Sequence, residues 1–401
     1  MNATEALKSS VDLVCFSHLR WGFVFQRPQH LMSRFARDRR VFFMEEPVFE
    51  NAAAPVMRSR VCEKTGVNVV TPVLPEDSDR TRTSRTIAPM IQQFMRDEQV
   101  EDYIAWYYTP MALDFTKGLT PQATVYDCMD ELSLFRNAPP ELTRNEKKLF
   151  SMADLVFTGG VSLFEAKRQQ HPHVFAFPSS VDCDHFAQAR ALRNKAADAD
   201  DQKGIPHPRL GYAGVIDEHI NVELIGEMAA RRPDWQFVMI GPVVKIDPAS
   251  LPKQSNIHWL GMKDYASLPQ YLAGWDVALM PFAINDSTRY ISPTKTPEYL
   301  AAGLPVVSTP IRDVERQYGE LGLVRIEGDT RGFIAAIEQS LTYEMGFKWR
   351  HRVDAFLHTL SWDRTWSDMN KLIEEVIASR TQQTEHVPAV MTASQNSAAP
   401  L

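Results

Sequence analysis

The segment Ser292-Pro293-Thr294-Lys295-Thr296-Pro297-Glu298 brings together the residue types that hold a phosphorylated sugar. Ser292 reads as a helix cap and Pro293 as the first helical residue, where a missing N–H costs nothing. Gly303 suits the left-handed stop, and Pro305 keeps the helix from continuing. Such a helix leaves the N–H groups of Thr294 and Lys295 at the positive end of its dipole. That is an anion site, and Lys295 adds a point charge suited to phosphate. Glu298, three residues on, shares the same face and offers a carboxylate to sugar hydroxyls. A capped helix before a buried strand also occurs throughout α/β proteins, and a Lys–Glu pair is often only solvated. The remaining chain must decide.

Short apolar runs at residues 11–17, 40–45, 67–74, 103–108, 124–127, 155–158 and 174–178 alternate with helical patterns at 28–37, 87–97, 142–152 and 162–170. Repeated strand–helix alternation predicts a mostly parallel sheet covered on both faces. Residues 188–208 are rich in Ala, Asp, Asn and Lys without apolar periodicity, and read as a linker. The alternation then restarts, with strands expected at 209–213, 236–240, 257–260, 277–281, 305–308 and 323–326. Helices are expected between them at 222–231, 265–273, 294–302 and 330–342. The expected organisation is a first domain over 1–187, a linker over 188–208 and a second domain over 209–345. Two helical patterns follow over 346–379, then a disordered polar tail over 380–401. Ligands of such sheets sit beyond strand carboxyl ends, where Gly214, Gly241 and Gly261 fall; glycine there allows close backbone approach, though it is also ordinary turn punctuation.

The length of 401 residues favours two domains, and a net charge of −7 argues against general nucleic-acid binding. The four cysteines lie far apart and read as reduced thiols. Asp198-Ala199-Asp200 reads as a solvated charge run, and no metal site is expected. The G-x-G-x-x-G, G-x-x-x-x-G-K-[ST] and G-x-S-x-G motifs are absent from the sequence. Residues 1–10 lack a signal peptide's apolar core, and no run is long enough to cross a bilayer, so a cytoplasmic protein is expected. Peripheral contact with the inner membrane face stays open through the basic segment 80–85 and the apolar Ile87, Met90, Ile91 and Phe94 after it; an amphipathic core helix is the alternative.

The succession Leu210-Gly211-Tyr212-Ala213-Gly214-Val215-Ile216-Asp217, then Arg232-Pro233-Asp234-Trp235, then Ile240-Gly241-Pro242, then Asn256-Ile257-His258-Trp259-Leu260-Gly261, then residues 292–308, resembles the donor-binding half of GT-B glycosyltransferases. The nearest likeness is to the family 1/family 4-type bacterial enzymes of surface polysaccharide assembly. The N-terminal Trp21-Gly22-Phe23-Val24-Phe25-Gln26-Arg27-Pro28-Gln29-His30-Leu31 and Val125-Tyr126-Asp127-Cys128-Met129-Asp130 are similar to a subgroup of them. The resemblance implies two Rossmann-like domains facing across a cleft, with the C-terminal helices packing back on the first domain. It implies a metal-independent, hexosyltransferase-type enzyme with no cofactor. A nucleotide-diphosphate sugar would be the substrate, and a saccharide or lipid-linked sugar the acceptor. Carried over, Glu298 grips the ribose, and Lys295 with Thr294 and Ser292 meets the diphosphate. Gly214 lets the donor approach, and the loop from Gly261 through Met262 to Lys263 lies by the base. The family's first glutamate is replaced by Tyr290. Its basic residues after the glycine turn are replaced by Asp217-Glu218-His219, a gap that Arg289 is expected to fill.

Past the first strand, His18, Arg20, Trp21, Arg27 and His30 gather basic and aromatic groups suited to a saccharide or phosphate acceptor. Trp21 packing between layers and Arg27 capping a helix is the competing reading. His18 suits a general base, with Asp130 as an alternative base or as its orienting partner; Asp127 is expected to face a structural partner. Two other functions fit the same residues: a GT-B-fold nucleotide-sugar epimerase, and a non-catalytic sugar-binding scaffold of polysaccharide assembly.

Overall fold

The computed structural model describes residues 11–342 and 346–385. Nine strands form the first sheet: β1 (Asp12–Phe16), β2 (Val41–Met44), β3 (Val48–Glu50), β4 (Val56–Val61), β5 (Asn68–Pro75), β6 (Tyr103–Tyr107), β7 (Ala123–Cys128), β8 (Leu155–Thr158) and β9 (Val174–Ala176). Their spatial order is β3-β5-β2-β1-β6-β7-β8-β9, parallel throughout, and β4 adds antiparallel to β5. Six further strands form the second sheet: β10 (Arg209–Ala213), β11 (Gln236–Ile240), β12 (Ile257–Gly261), β13 (Val277–Met280), β14 (Val306–Ser308) and β15 (Arg325–Ile326). They lie in the order β12-β11-β10-β13-β14-β15, all parallel. Parallel sheets are covered on both faces, which is why β1, β6, β7, β8, β10 and β13 are buried at every residue.

The chain passes between the domains twice. Phe177 still packs in the first core, while Val181 already belongs to the second. On the return, Leu357 lies in the second core and Trp362 in the first. The final helix, Trp362–Glu385, therefore lies on the first domain, where Met369 and Ile373 are fully buried. Arg34 and Arg37 reach Asp363 at 2.9 and 2.7 Å, and Arg39 reaches Glu374 at 2.9 Å.

Three local expectations change. The sequence does not reveal β3, a three-residue strand parallel to β5, or β4, an exposed edge strand antiparallel to β5 with charged residues at alternate positions and no apolar run. The presumed linker is largely built: a helix spans Cys183–Asn194, and beyond it Ala199, Gln202 and Ile205 are buried. Gln202 accepts the indole N–H of Trp275 at 2.9 Å, and Asp198 pairs with Arg209. Its polar residues are thus partners of the second domain's core edge, which composition does not reveal. The final helix continues to Glu385, six residues into the presumed tail; residues 386–401 and the N-terminal 1–10 lie outside the described residues. Among the described residues no helix is long and apolar enough to cross a membrane.

Trp362 stacks on His30, with ring centroids 4.6 Å apart and planes 9° from parallel. Trp362→Ala is expected to cost about 3–5 kcal/mol of stability in urea unfolding, as for a buried aromatic truncated in a core. A loss below about 1 kcal/mol would show that this side chain does not anchor the returning helix.

Candidate active site in the interdomain cleft

The carboxyl ends of the two sheets border one cavity of about 380 Å³. His18 follows β1, Asp130 follows β7 and Gly159 follows β8; Gly214 follows β10, Lys245 lies in the loop after β11, and Phe282 follows β13. Ser292, Pro293, Thr294 and Lys295 close the second-domain side. This is where ligands of open parallel sheets bind, here offered by two sheets at once.

The expected anion helix is shorter than the sequence suggested. It spans Lys295–Ala301, with Thr294 as its cap residue in helical geometry and no side-chain cap. Ser292 does not cap it, because Ser292 is bonded across the cleft: its carbonyl accepts from the Ser179 hydroxyl at 2.5 Å and its own hydroxyl from the Ser179 N–H at 3.4 Å. Two turns give a small dipole, so side-chain cations must supply most of any attraction for phosphate. The far end is as expected: Gly303 has φ +74°, with its N–H on the Leu300 carbonyl. Arg190 and Arg193, from the helix that replaces the linker, bond the Ala301 and Ala302 carbonyls at 2.8 and 3.3 Å. The buried Tyr299 hydroxyl accepts the Ala213 N–H at 2.8 Å and so ties this helix to the Gly214 turn.

Lys295 and Glu298 are bonded to one another, Nζ to Oε2 at 2.8 Å. Glu298 is only 4% exposed and lies behind Lys295 rather than on the cavity wall. The lysine thus neutralises a buried carboxylate, and a bound diphosphate would have to share it. Gly241 sits beneath the Gly214 turn at φ +142°, where a Cβ would fall 1.7 Å from the Gly214 carbonyl oxygen. Any side chain there would push the turn into the cavity. Gly261 accepts the Gly241 N–H at 2.9 Å, one layer further out.

Other expected contacts lie elsewhere. Met262 is 47% exposed and does not line the cavity. Arg289 is also exposed; its guanidinium lies 5.6 Å from the Tyr290 ring, and Tyr290 packs against the first-domain core. The cleft is lined instead by Lys245, which the sequence did not single out, and by His219, which stood there only as a departure from the family's basic residues. Lys245, at φ +62° in the loop after β11, has no ion pair among the described residues; its ammonium lies 5.1 Å from the Phe135 ring. A lysine a few residues past a strand-end glycine was the available signal. His219 bonds Asp217 at 2.9 Å. Burial alone would lower its pKa, but Asp217, Asp130 and Glu218 outweigh that and raise it.

On the first-domain side Trp21 is a core residue, 5.0 Å from Phe43, with its N–H on Glu45. His30 is buried between Trp362 and Tyr265. Both sit where apolar packing places aromatics, so neither is available to an acceptor. Arg27 borders the cavity but is held by Asp127 through three contacts of 2.8–3.1 Å and by the Phe177 carbonyl at 2.8 Å. Asp127 faces a structural partner, and that partner is Arg27, which is paired with it rather than capping a helix.

His18 and Asp130 both line the cavity but do not bond each other; the imidazole bonds the backbone at Tyr108 and its Nδ1 has no partner. Burial, then Lys245, lower His18 to about 4, so it is uncharged near neutrality and weakly basic. Burial pushes Asp130 up to about 6 against the pull of His219, Arg27 and Lys245. Asp130 is thus the group poised to take a proton near pH 7.

Two parallel α/β domains meeting at their strand carboxyl ends, with a returning C-terminal helix, define the GT-B class of fold. Residues 207–342, in the second domain, match the family model of glycosyl transferases group 1. Over 136 residues the chain is 32% identical to TuaH of Bacillus subtilis (strain 168), whose name places it in teichuronic acid biosynthesis. That match spans 33% of this chain and 34% of TuaH, so about a third of the relative's length is covered. Among solved structures, sucrose-phosphate synthase of Thermosynechococcus elongatus superposes with TM-score 0.66 at 15% identity, over 92% of this chain and 100% of that one. HepE of Anabaena in complex with UDP gives TM-score 0.59 at 12% identity, over 91% and 100%. The catalytic domain of Arabidopsis thaliana starch synthase IV, bound to ADP and acarbose, gives 0.61 at 11%, over 92% and 99%. At these identities the superpositions establish the fold.

Removing Asp127 would leave Arg27 charged and uncompensated under the cleft. Asp127→Ala is expected to lower stability by about 3–5 kcal/mol in chemical denaturation. A loss under about 1 kcal/mol would mean that the pair is not what ties the Arg27–Phe35 helix to the sheet.

Proposed function

We propose that the chain is a metal-independent hexosyltransferase. It takes a sugar from a nucleoside-diphosphate donor and passes it to a saccharide or lipid-linked acceptor in cell-surface polysaccharide synthesis. The observation that carries this reading is the shared cavity, where Lys295, Lys245, Thr294 and the Gly214 turn face Asp130 and His18. The TuaH match and the UDP and ADP complexes of the structural neighbours support the pathway class and the donor class respectively.

In this mechanism the donor diphosphate lies against the Gly214 turn between Lys245 and the start of the Lys295–Ala301 helix. Negative charge grows on the diphosphate as the glycosidic bond breaks, and both lysines stabilise it. Glu298, released from part of its bond to Lys295, turns its carboxylate to the ribose hydroxyls. Asp130 takes the proton of the attacking acceptor hydroxyl. Contacts between Ser292 and Ser179, and between Asp313 and Ser162, hold the domains closed and limit hydrolysis by water.

Thermal-shift screening of nucleoside diphosphates is expected to show stabilisation by UDP or ADP, and absence of any such shift would refute the donor site. Lys295→Ala should reduce kcat by about 10²–10³-fold with a smaller change in donor affinity, as for loss of one preorganised charge stabiliser. Equal losses in kcat and affinity would remove it from the transition state. The rate should fall below about pH 6, where Asp130 binds a proton and can no longer accept one. Asp130→Asn should abolish that acid limb together with most of the activity. A limb that survives the substitution would assign the base elsewhere.

A further inference from the structure

Both lysines that border the cleft cavity are already engaged. Lys295 is bonded to the buried Glu298. Lys245 has no carboxylate partner among the described residues; its ammonium rests 5.1 Å from the centre of the Phe135 ring, which borders the same cavity. Phe135 belongs to the other domain, in the loop between β7 and the Leu142–Met152 helix. The base of that loop is firmly placed, by Glu131 on the buried Lys167 at 2.7 Å and by the buried Leu132. Its tip is not. Leu134, Arg136 and Asn137 are exposed, and neither Leu134 nor Phe135 packs in a hydrophobic core.

Beyond its own turns, the tip is fastened to the second domain by three contacts. The Phe135 ring lies 4.9 Å from the His219 ring, edge to face at 66°. The Arg136 N–H donates to Glu218 Oε1 at 2.9 Å. The third contact is the ammonium of Lys245 over the Phe135 ring. His219 and Glu218 stand on the loop after β10, and Lys245 on the loop after β11. These are the loops that form the second-domain wall of the cavity. The ring holds the ammonium only through its quadrupole, whereas a diphosphate offers full negative charges and charge-assisted hydrogen bonds. Glu298 is a stronger competitor for Lys295 than Phe135 is for Lys245, so Lys245 is the lysine more readily released.

We propose that Phe135 is a stopper: in the empty cleft its ring occupies the ammonium of Lys245, and a nucleoside diphosphate binds by taking Lys245 from it. The inference rests on the transferase reading and adds to it a regulation of the donor site. A ligand that must displace a native contact binds with an affinity reduced by the fraction of molecules in which that contact is open. The ring therefore weakens every ligand that uses Lys245 and leaves unaffected those that do not.

Isothermal titration calorimetry on the full chain tests it, with UDP and ADP as probes and uridine as the probe without phosphate. Phe135→Leu keeps apolar bulk but removes the aromatic face. It should tighten binding of whichever diphosphate the unmodified protein takes by about fivefold, the factor set free when a cation–π contact no longer has to be broken. Uridine should bind the variant no more tightly than it binds the unmodified protein. In a Lys245→Met background the same substitution should bring no gain, because no ammonium is left to release. Unchanged or weaker diphosphate binding by Phe135→Leu, an equal gain for uridine, or a gain that survives Lys245→Met would each overturn the assignment. Failure of the unmodified protein to bind either nucleoside diphosphate would instead strike the transferase reading, and this inference with it.

Discussion

A parallel sheet is covered on both faces, so its strand carboxyl ends and the loops leaving them are where the backbone meets a ligand. In this chain two such sheets turn those ends toward one another, and the rest of the structure keeps them there. The crossing is held at its start by Arg27 on the Phe177 carbonyl, and the return at Trp362 by stacking on His30 and the arginine contacts of the final helix. Cross-cleft bonds from Ser179 to Ser292 and from Ser162 to Asp313 hold the facing loops at hydrogen-bonding distance.

The electrostatics of the cleft follow from what is buried there. Asp127 and Glu298 are each met by a cation, from Arg27 and Lys295, and Asp217 is bonded to the imidazole of His219. Asp130 and Lys245 are the exceptions: neither has an ion pair among the described residues, and both border the cavity. Groups of opposite sign held apart by protein can each serve a ligand, one drawing a proton and the other receiving developing negative charge. The paired groups, by contrast, fix position. The buried triad of Lys167 with Glu131 and Glu146 does the same one residue beyond Asp130, where it pins the loop that carries it.

The sequence by itself determined the two α/β domains and most of their strands. A strand buried on both faces must be a continuous apolar run, and such runs are visible without neighbours: Leu155–Thr158, Arg209–Ala213 and Gln236–Ile240 stand where they were expected. It also determined the helix stop at Gly303, because positive φ is a property of one residue. Tertiary structure decided the rest. Ser292 has a capping residue's chemistry, but its hydroxyl meets Ser179, more than a hundred residues away. Trp21, His30 and Arg289 have binding residues' chemistry, yet packing turned the first two inward and left the third in solvent. Lys245 gained its place only because the loop after β11 turns toward the cleft. Residue type fixes what a side chain can do; which partner it meets depends on distances between segments remote in sequence, and these exist only once both sheets have folded and faced each other.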